Sequence, residues 1–115
     1  MEKGYLIRKV SEVEAISDIC GEIKTLTSFE DFSNASIAHV KVSESKPHYH
    51  KETTEFYFIL KGEGIIRINE EEVEVEKGML VMIRPGSVHS IKAFGEIELL
   101  VIASPAWRIE DQFEV

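Results

Sequence analysis

Alternation of apolar and polar residues is cleanest at Glu72-Val73-Glu74-Val75-Glu76. A period of two puts both valines on one face and three glutamates on the other, the pattern of a strand half buried and half solvated. Glu55-Phe56-Tyr57-Phe58-Ile59-Leu60 and Met79-Leu80-Val81-Met82-Ile83 instead run apolar at consecutive positions. Strands covered on two sides read this way, so something besides a barrel interior must cover their second face. A further strand is predicted from Ile97 to Ala103, ahead of a break at Ser104-Pro105-Ala106-Trp107. Lys61-Gly62-Glu63-Gly64, Asn69-Glu70-Glu71 and Arg84-Pro85-Gly86-Ser87 read as turns. From Glu22 onward such signals recur at roughly eight- to twelve-residue intervals, the spacing of an all-β fold. Upstream, Ser11 to Glu14 fits a capping box, and Val13, Ile16 and Ile19 with Gly21 just beyond predict one short helix over residues 12–20.

Composition narrows the class. A chain of 115 residues suits one domain over residues 1–115, and 43% hydrophobic with 30% charged residues is a globular balance, not a disordered one. A net charge of −8 without a cluster of Lys and Arg argues against a nucleic-acid surface. No stretch reaches the ~20 apolar residues of a membrane span, and a cytoplasmic location is the expectation. Cys20 has no second cysteine to pair with, in keeping with a reducing compartment, and its neighbours Ile16 and Ile19 predict a small core residue. Glu and Lys dominate the charged set, a balance reported for hyperthermophile proteins.

The candidate chemistry lies in the histidines. His48 and His50 are two apart, so on a strand both leave the same face and can share an ion. Glu55 follows a polar stretch able to turn the chain, and His89, just after Pro85-Gly86, can return from a distant strand. An HxH on a strand is more often a polar surface than a metal site. Here, however, the chain has only four histidines, and three fall into one pattern with flanking glycines. Three imidazoles and a carboxylate suit Fe(II), Mn(II), Ni(II), Co(II), Cu(II) or Zn(II), one ion per chain, and suit Ca(II) or Mg(II) poorly. On an octahedral ion four protein ligands leave two positions open.

The segment His48-Tyr49-His50-Lys51-Glu52-Thr53-Thr54-Glu55, then six residues and Gly62, resembles the first cupin motif; Gly78 through Gly86 to His89 resembles the second. The two motifs occupy residues 48–62 and 78–89. Val42, Arg84 and Ala93 depart from the usual Gly, Pro and Asn, at positions that shape turns and ligate nothing. The resemblance implies a small single-domain cupin: a double-stranded β-helix, or jelly-roll barrel, holding a metal inside near its open end on His48, His50, Glu55 and His89. It leaves the reaction open, since one fold hosts many chemistries.

Three further residues are candidates for the pocket. Tyr57 shares the face of Glu55 by period two and should point toward the metal, as a substrate partner or as plain core. His39 faces either pocket or solvent; Arg67 clamps a carboxylate or phosphate if it points inward and is a surface residue if it does not. Trp107 either covers the barrel mouth or packs outside. No Ser-His-Asp constellation, P-loop or dinucleotide turn is present. Three functions stay open: a metal-dependent enzyme on a small oxygen-bearing substrate, of dioxygenase type; an isomerase of sugars or sugar phosphates resembling the mannose-6-phosphate isomerase cupins, for which Arg67 and Glu52 are the only phosphate and base candidates; and a binding or sensing module without catalysis. The two-sided apolar runs predict a homodimer.

Overall fold

The Glu-Val alternation folds as its period dictates: Val75 is buried, Val73 is partly buried, and the glutamates face water. The computed structural model describes residues 3–115. Among them ten strands follow in order: β1 (Ile16–Asp18), β2 (Gly21–Thr27), β3 (Ser36–Glu44), β4 (His48–Tyr49), β5 (Thr54–Lys61), β6 (Glu63–Ile68), β7 (Glu71–Glu76), β8 (Leu80–Ile83), β9 (His89–Ser104) and β10 (Phe113–Glu114). All pairings are antiparallel, and the sheet curls into a jelly-roll barrel.

The long strand β9 is the spine. Its first residues pair with β4 and β6, and beyond Gly95 it pairs on one side with β3 and on the other with β5. Inward positions follow period two: Glu55, Tyr57 and Ile59 on β5, Ile97, Leu99 and Ala103 on β9. Ile59, Ile66, Ile97 and Leu99 are wholly excluded from water, each contributing roughly 1.5–3 kcal/mol of transfer free energy. Gly62 closes the β5–β6 turn at φ +90°, and a Cβ there would collide with the Glu96 carbonyl.

The helix predicted over residues 12–20 does not form. A single 3₁₀ turn spans Val10–Glu12 with no side-chain cap, and β1 then pairs with β2, Ile16 opposite Ile23 and Asp18 opposite Gly21. Nine residues make a marginal helix, and Ile16, its presumed buried anchor, is exposed. Gly21 at φ +116° turns the segment back so that the existing sheet edge satisfies its backbone instead.

The runs apolar on both faces do form strands. Outside the barrel, Phe56 lies opposite Met82 and Phe58 opposite Leu80. Phe58, Leu80 and Met82 are 38%, 58% and 42% exposed. Among the described residues no helix is long and apolar enough to cross a membrane.

Candidate metal centre

β4 and β9 meet with His48 directly opposite His89, and period two returns His50 to the side of His48. β5 brings in Glu55 at its second residue, between β8 and β9. The four side chains are buried and offer ligand atoms that all lie within 4.8 Å of one another, a spacing one ion can bridge. Glu55 Oε1 is 3.1 Å from His50 Nε2 and 3.0 Å from His89 Nε2.

Each ring is held from behind by a backbone carbonyl. His48 Nδ1 donates to Lys46 O at 2.8 Å, His50 Nδ1 to Asp111 O at 2.9 Å and His89 Nδ1 to Ser87 O at 2.8 Å. Carbonyls only accept, so every Nδ1 carries a proton and every Nε2 turns a lone pair inward unless its ring takes up a second proton. His50 Nε2 is buried and makes no hydrogen bond. His89 Nε2 meets Glu55 Oε1 and His48 Nε2 meets Cys20 Sγ, so His50 Nε2 is the one left without a partner, and a cation beside Glu55 would satisfy that buried lone pair. The residues present therefore fit a divalent transition metal.

The electrostatics of the protein without metal follow the same geometry. Burial alone would raise the Glu55 pKa, yet contacts with His50 and His89 win and hold it at about 2. Burial, then the neighbouring His89, pushes His48 down. For His50 burial acts in the same sense, but Glu55 outweighs it and the pKa rises. Tyr57 is raised well above a normal phenol, by burial first and by Glu55 second.

A cavity of about 160 Å³ opens from Glu55 toward the barrel mouth. Ile23, Val40, Leu99 and Val101 form much of its apolar wall, while Phe29 and Trp107 stand at its exposed end. Tyr57 lines it, with its hydroxyl 3.4 Å from Glu55 Oε1. Cys20 also lines it, half buried with Sγ 3.5 Å from His48 Nε2, and so is a pocket residue and not the core residue expected. Burial, followed by Glu55 and Asp18, raises its thiol pKa well above the ordinary value.

Two expected pocket residues are placed elsewhere. Ala38 and Val40 line the cavity; alternation therefore sends His39 to the opposite face, where its Nε2 donates to Glu98 Oε1 at 2.7 Å. Arg67 stands between the inward Ile66 and Ile68 on β6, is exposed, and donates to Asn69 O. Glu52 is exposed in the loop after β4. Trp107 lies at the mouth, the first of the two positions considered for it.

Asp111 was not legible. Its carboxylate accepts from the backbone N–H groups of Lys51, Glu52 and Thr53, while its own carbonyl holds His50. Burial opposes ionisation there, but these N–H groups outweigh it and lower the pKa. Asp18 and Gln112 also line the cavity and were missed. Neither stands in a motif; only the hairpin of β1 and the return of β10 beside β4 bring them in.

Known proteins agree with this architecture. The cupin-domain family model matches residues 37–103. An uncharacterized protein of Methanocaldococcus jannaschii is 32% identical over 71 residues, 60% of this chain and 57% of that protein. The chain spans less than two thirds of the curated relatives it matches. Among solved structures, a predicted oxalate decarboxylase from Thermotoga maritima has a TM-score of 0.77 at 27% identity, covering 87% of this chain and 99% of that one. A Streptomyces nucleoside dehydratase has a TM-score of 0.83 at 18% identity, covering 96% and 91%; at that identity the likeness is one of fold alone. With both motifs in place on the barrel and the family model matching over more than half its length, the chain belongs to the cupin family.

Proposed function

We propose that this chain is a metal-dependent enzyme acting on a small oxygen-bearing substrate, with one divalent transition metal held by His48, His50, Glu55 and His89. The observation that carries the reading is the set of three Nδ1-to-carbonyl hydrogen bonds that leave three Nε2 atoms free to converge with Glu55 within 4.8 Å, beside a cavity open to the barrel mouth. Such pre-orientation serves ligation, and the buried His50 Nε2, which a merely structural polar core would pair, is left without a partner. A bound ion would supply Lewis acidity and, if it is Fe(II) or Mn(II), electrons for oxidative chemistry. The chain supplies the rest. Tyr57 offers a hydroxyl to a substrate oxygen beside Glu55, and the apolar wall keeps bulk water from the reacting end. A sugar-phosphate isomerase has less support, because no Lys or Arg lines the cavity and Arg67 is outside it.

Purified without added metal and then reconstituted, wild type should hold close to one ion per chain, and His50→Ala should stay folded while losing most of it. Oxygen uptake and turnover of small hydroxylated substrates by the loaded protein distinguish an enzyme from a binding or sensing module, which would hold metal and turn over nothing. Equal metal in both proteins, or none in wild type after exposure to Fe(II), Mn(II), Ni(II), Co(II), Cu(II) and Zn(II), overturns the proposal. The free Cys20 thiol supports the cytoplasm as the place of action.

A further inference from the structure

The cavity wall carries a charge pattern that limits what can enter. Among the described residues lining it there is no Lys and no Arg, while two carboxylates, Glu55 at the inner end and Asp18 farther out, contribute to it. Glu55 is committed to the histidines. Asp18 is not: its Oδ1 accepts from the Ile19 backbone N–H at 2.6 Å, and its Oδ2 only from Gln112 Nε2 at 3.4 Å. A carboxylate has about four acceptor positions, so Asp18 retains capacity for a donor entering the cavity. Its position is fixed by a relay in which Gln112 Oε1 accepts from Trp107 Nε1 at 2.9 Å. Arg108 is stacked on the Phe29 ring with its guanidinium 4.0 Å from the centroid and forms no part of the wall, and Arg8 is paired with Asp31.

Size adds a second limit. A space of about 160 Å³ matches a ligand body of one six-membered ring, since an apolar cavity of about 150 Å³ takes up benzene. Hydroxyl residues such as Thr25, Thr27 and Ser36 also line the cavity, but most of the surface it presents is apolar, so the body should be mainly apolar.

We propose that the cavity selects a small ligand with one oxygen head at the metal end, a ring-sized apolar body, and a far end that is neutral or cationic and is read by Asp18. The head rests on the metal reading above; the selection at the far end does not. One negative charge at the head would be offset by the ion, whereas a second, a phosphate or another carboxylate, would enter a low-dielectric space whose wall holds Asp18 and no Lys or Arg to meet it. Asp18 is then the residue that sets specificity, and dianionic substrates are excluded.

The chain has a single tryptophan, Trp107, tied to Asp18 through Gln112, so its fluorescence reports occupancy. The probes are benzohydroxamic acids with a para-aminomethyl, para-methyl or para-carboxylate group, titrated into Zn(II)-loaded protein, with para-aminomethylbenzamide as the counterpart lacking the metal-binding head. The aminomethyl compound should bind tightest and the carboxylate about tenfold or more weaker. Asp18→Asn, which keeps the shape and the acceptor for Ile19, should shrink that gap to about threefold or less. A carboxylate probe that binds as well as the aminomethyl one, a gap unchanged in Asp18→Asn, or no probe binding at millimolar concentration overturns the proposal. Equal binding of the benzamide and its hydroxamate would instead sink the metal reading, leaving the order of charges as a separate result.

Discussion

His50 shows how one side chain can depend on another sixty-one positions away. Its ring is aimed by the carbonyl of Asp111, and the loop that carries it onward to Glu55 is pinned by the carboxylate of the same residue. Asp111→Ala keeps the carbonyl but strands the N–H groups of Lys51, Glu52 and Thr53, which should cost roughly 1–3 kcal/mol in a urea titration at neutral pH. The pH dependence has a definite sign. The folded pKa of Asp111 lies below its unfolded value, so its contribution is fully present above the ordinary carboxylate pKa and is lost as pH falls through the depressed folded one. The stability difference between wild type and Asp111→Ala should therefore narrow on acidification, and a constant difference from neutral pH to pH 3 would refute the assignment. The four centre residues themselves were legible from spacing, because period two on a strand is a local rule and the motifs supplied the rest. Asp111 was not, because nothing local distinguishes an aspartate that caps a distant loop from one in water. His39 and Arg67 were ambiguous for a related reason: a strand has two faces, and apolar residues occupy both of them here, Ile37 on the face of His39 and Ile65 on the face of Arg67, so local alternation alone does not say which face is inward.

Among the elements, strands with strong alternation or a following glycine turn were readable, and the region before Glu22 was not. Val13, Ile16 and Ile19 carry a helical period that no tertiary partner uses, and the edge of β2 outcompetes it. The β6–β9 pairing shows a constraint of another kind. A Cβ on Gly64 would lie 2.5 Å from Lys92 O and 2.7 Å from Ala93 Cα, both backbone atoms in the facing strand. Gly64→Ala should thus force β6 off β9 and cost roughly 1–3 kcal/mol or more. Gly78→Ala is the informative contrast: nothing lies within 4 Å of its Cβ, but φ is +89°, so only the left-handed backbone penalty of about 1–2 kcal/mol applies. Thermal unfolding of the two variants separates steric crowding from backbone strain, and an undisturbed Gly64→Ala would show that the two strands can part without loss.

At the scale of the molecule, the chain exposes 7491 Å², whereas a globular monomer of 13.1 kDa exposes about 6,400 Å². Part of the excess is the outer face carrying Phe58, Leu80 and Met82, together with the exposed Tyr5, Leu6 and Ile7 near the start of the chain. We expect a second copy of the chain to cover that face, giving a solution mass of two chains. Leu80→Glu with Met82→Glu should yield a folded monomer, and a wild type that sediments as one chain at micromolar concentration would count against the pairing. The topology also orders events in time. β9 is the partner of β3, β4, β5 and β6 alike, and synthesis delivers it only after all four. While a ribosome is still making residues before His89, the nascent chain holds hairpins with open edges, and His48, His50 and Glu55 have no fourth companion. Closure of the barrel waits on β9, and orientation of His50 waits further, on Asp111. A chain stalled between these points would present unpaired strand edges to every chaperone and to every other nascent copy nearby.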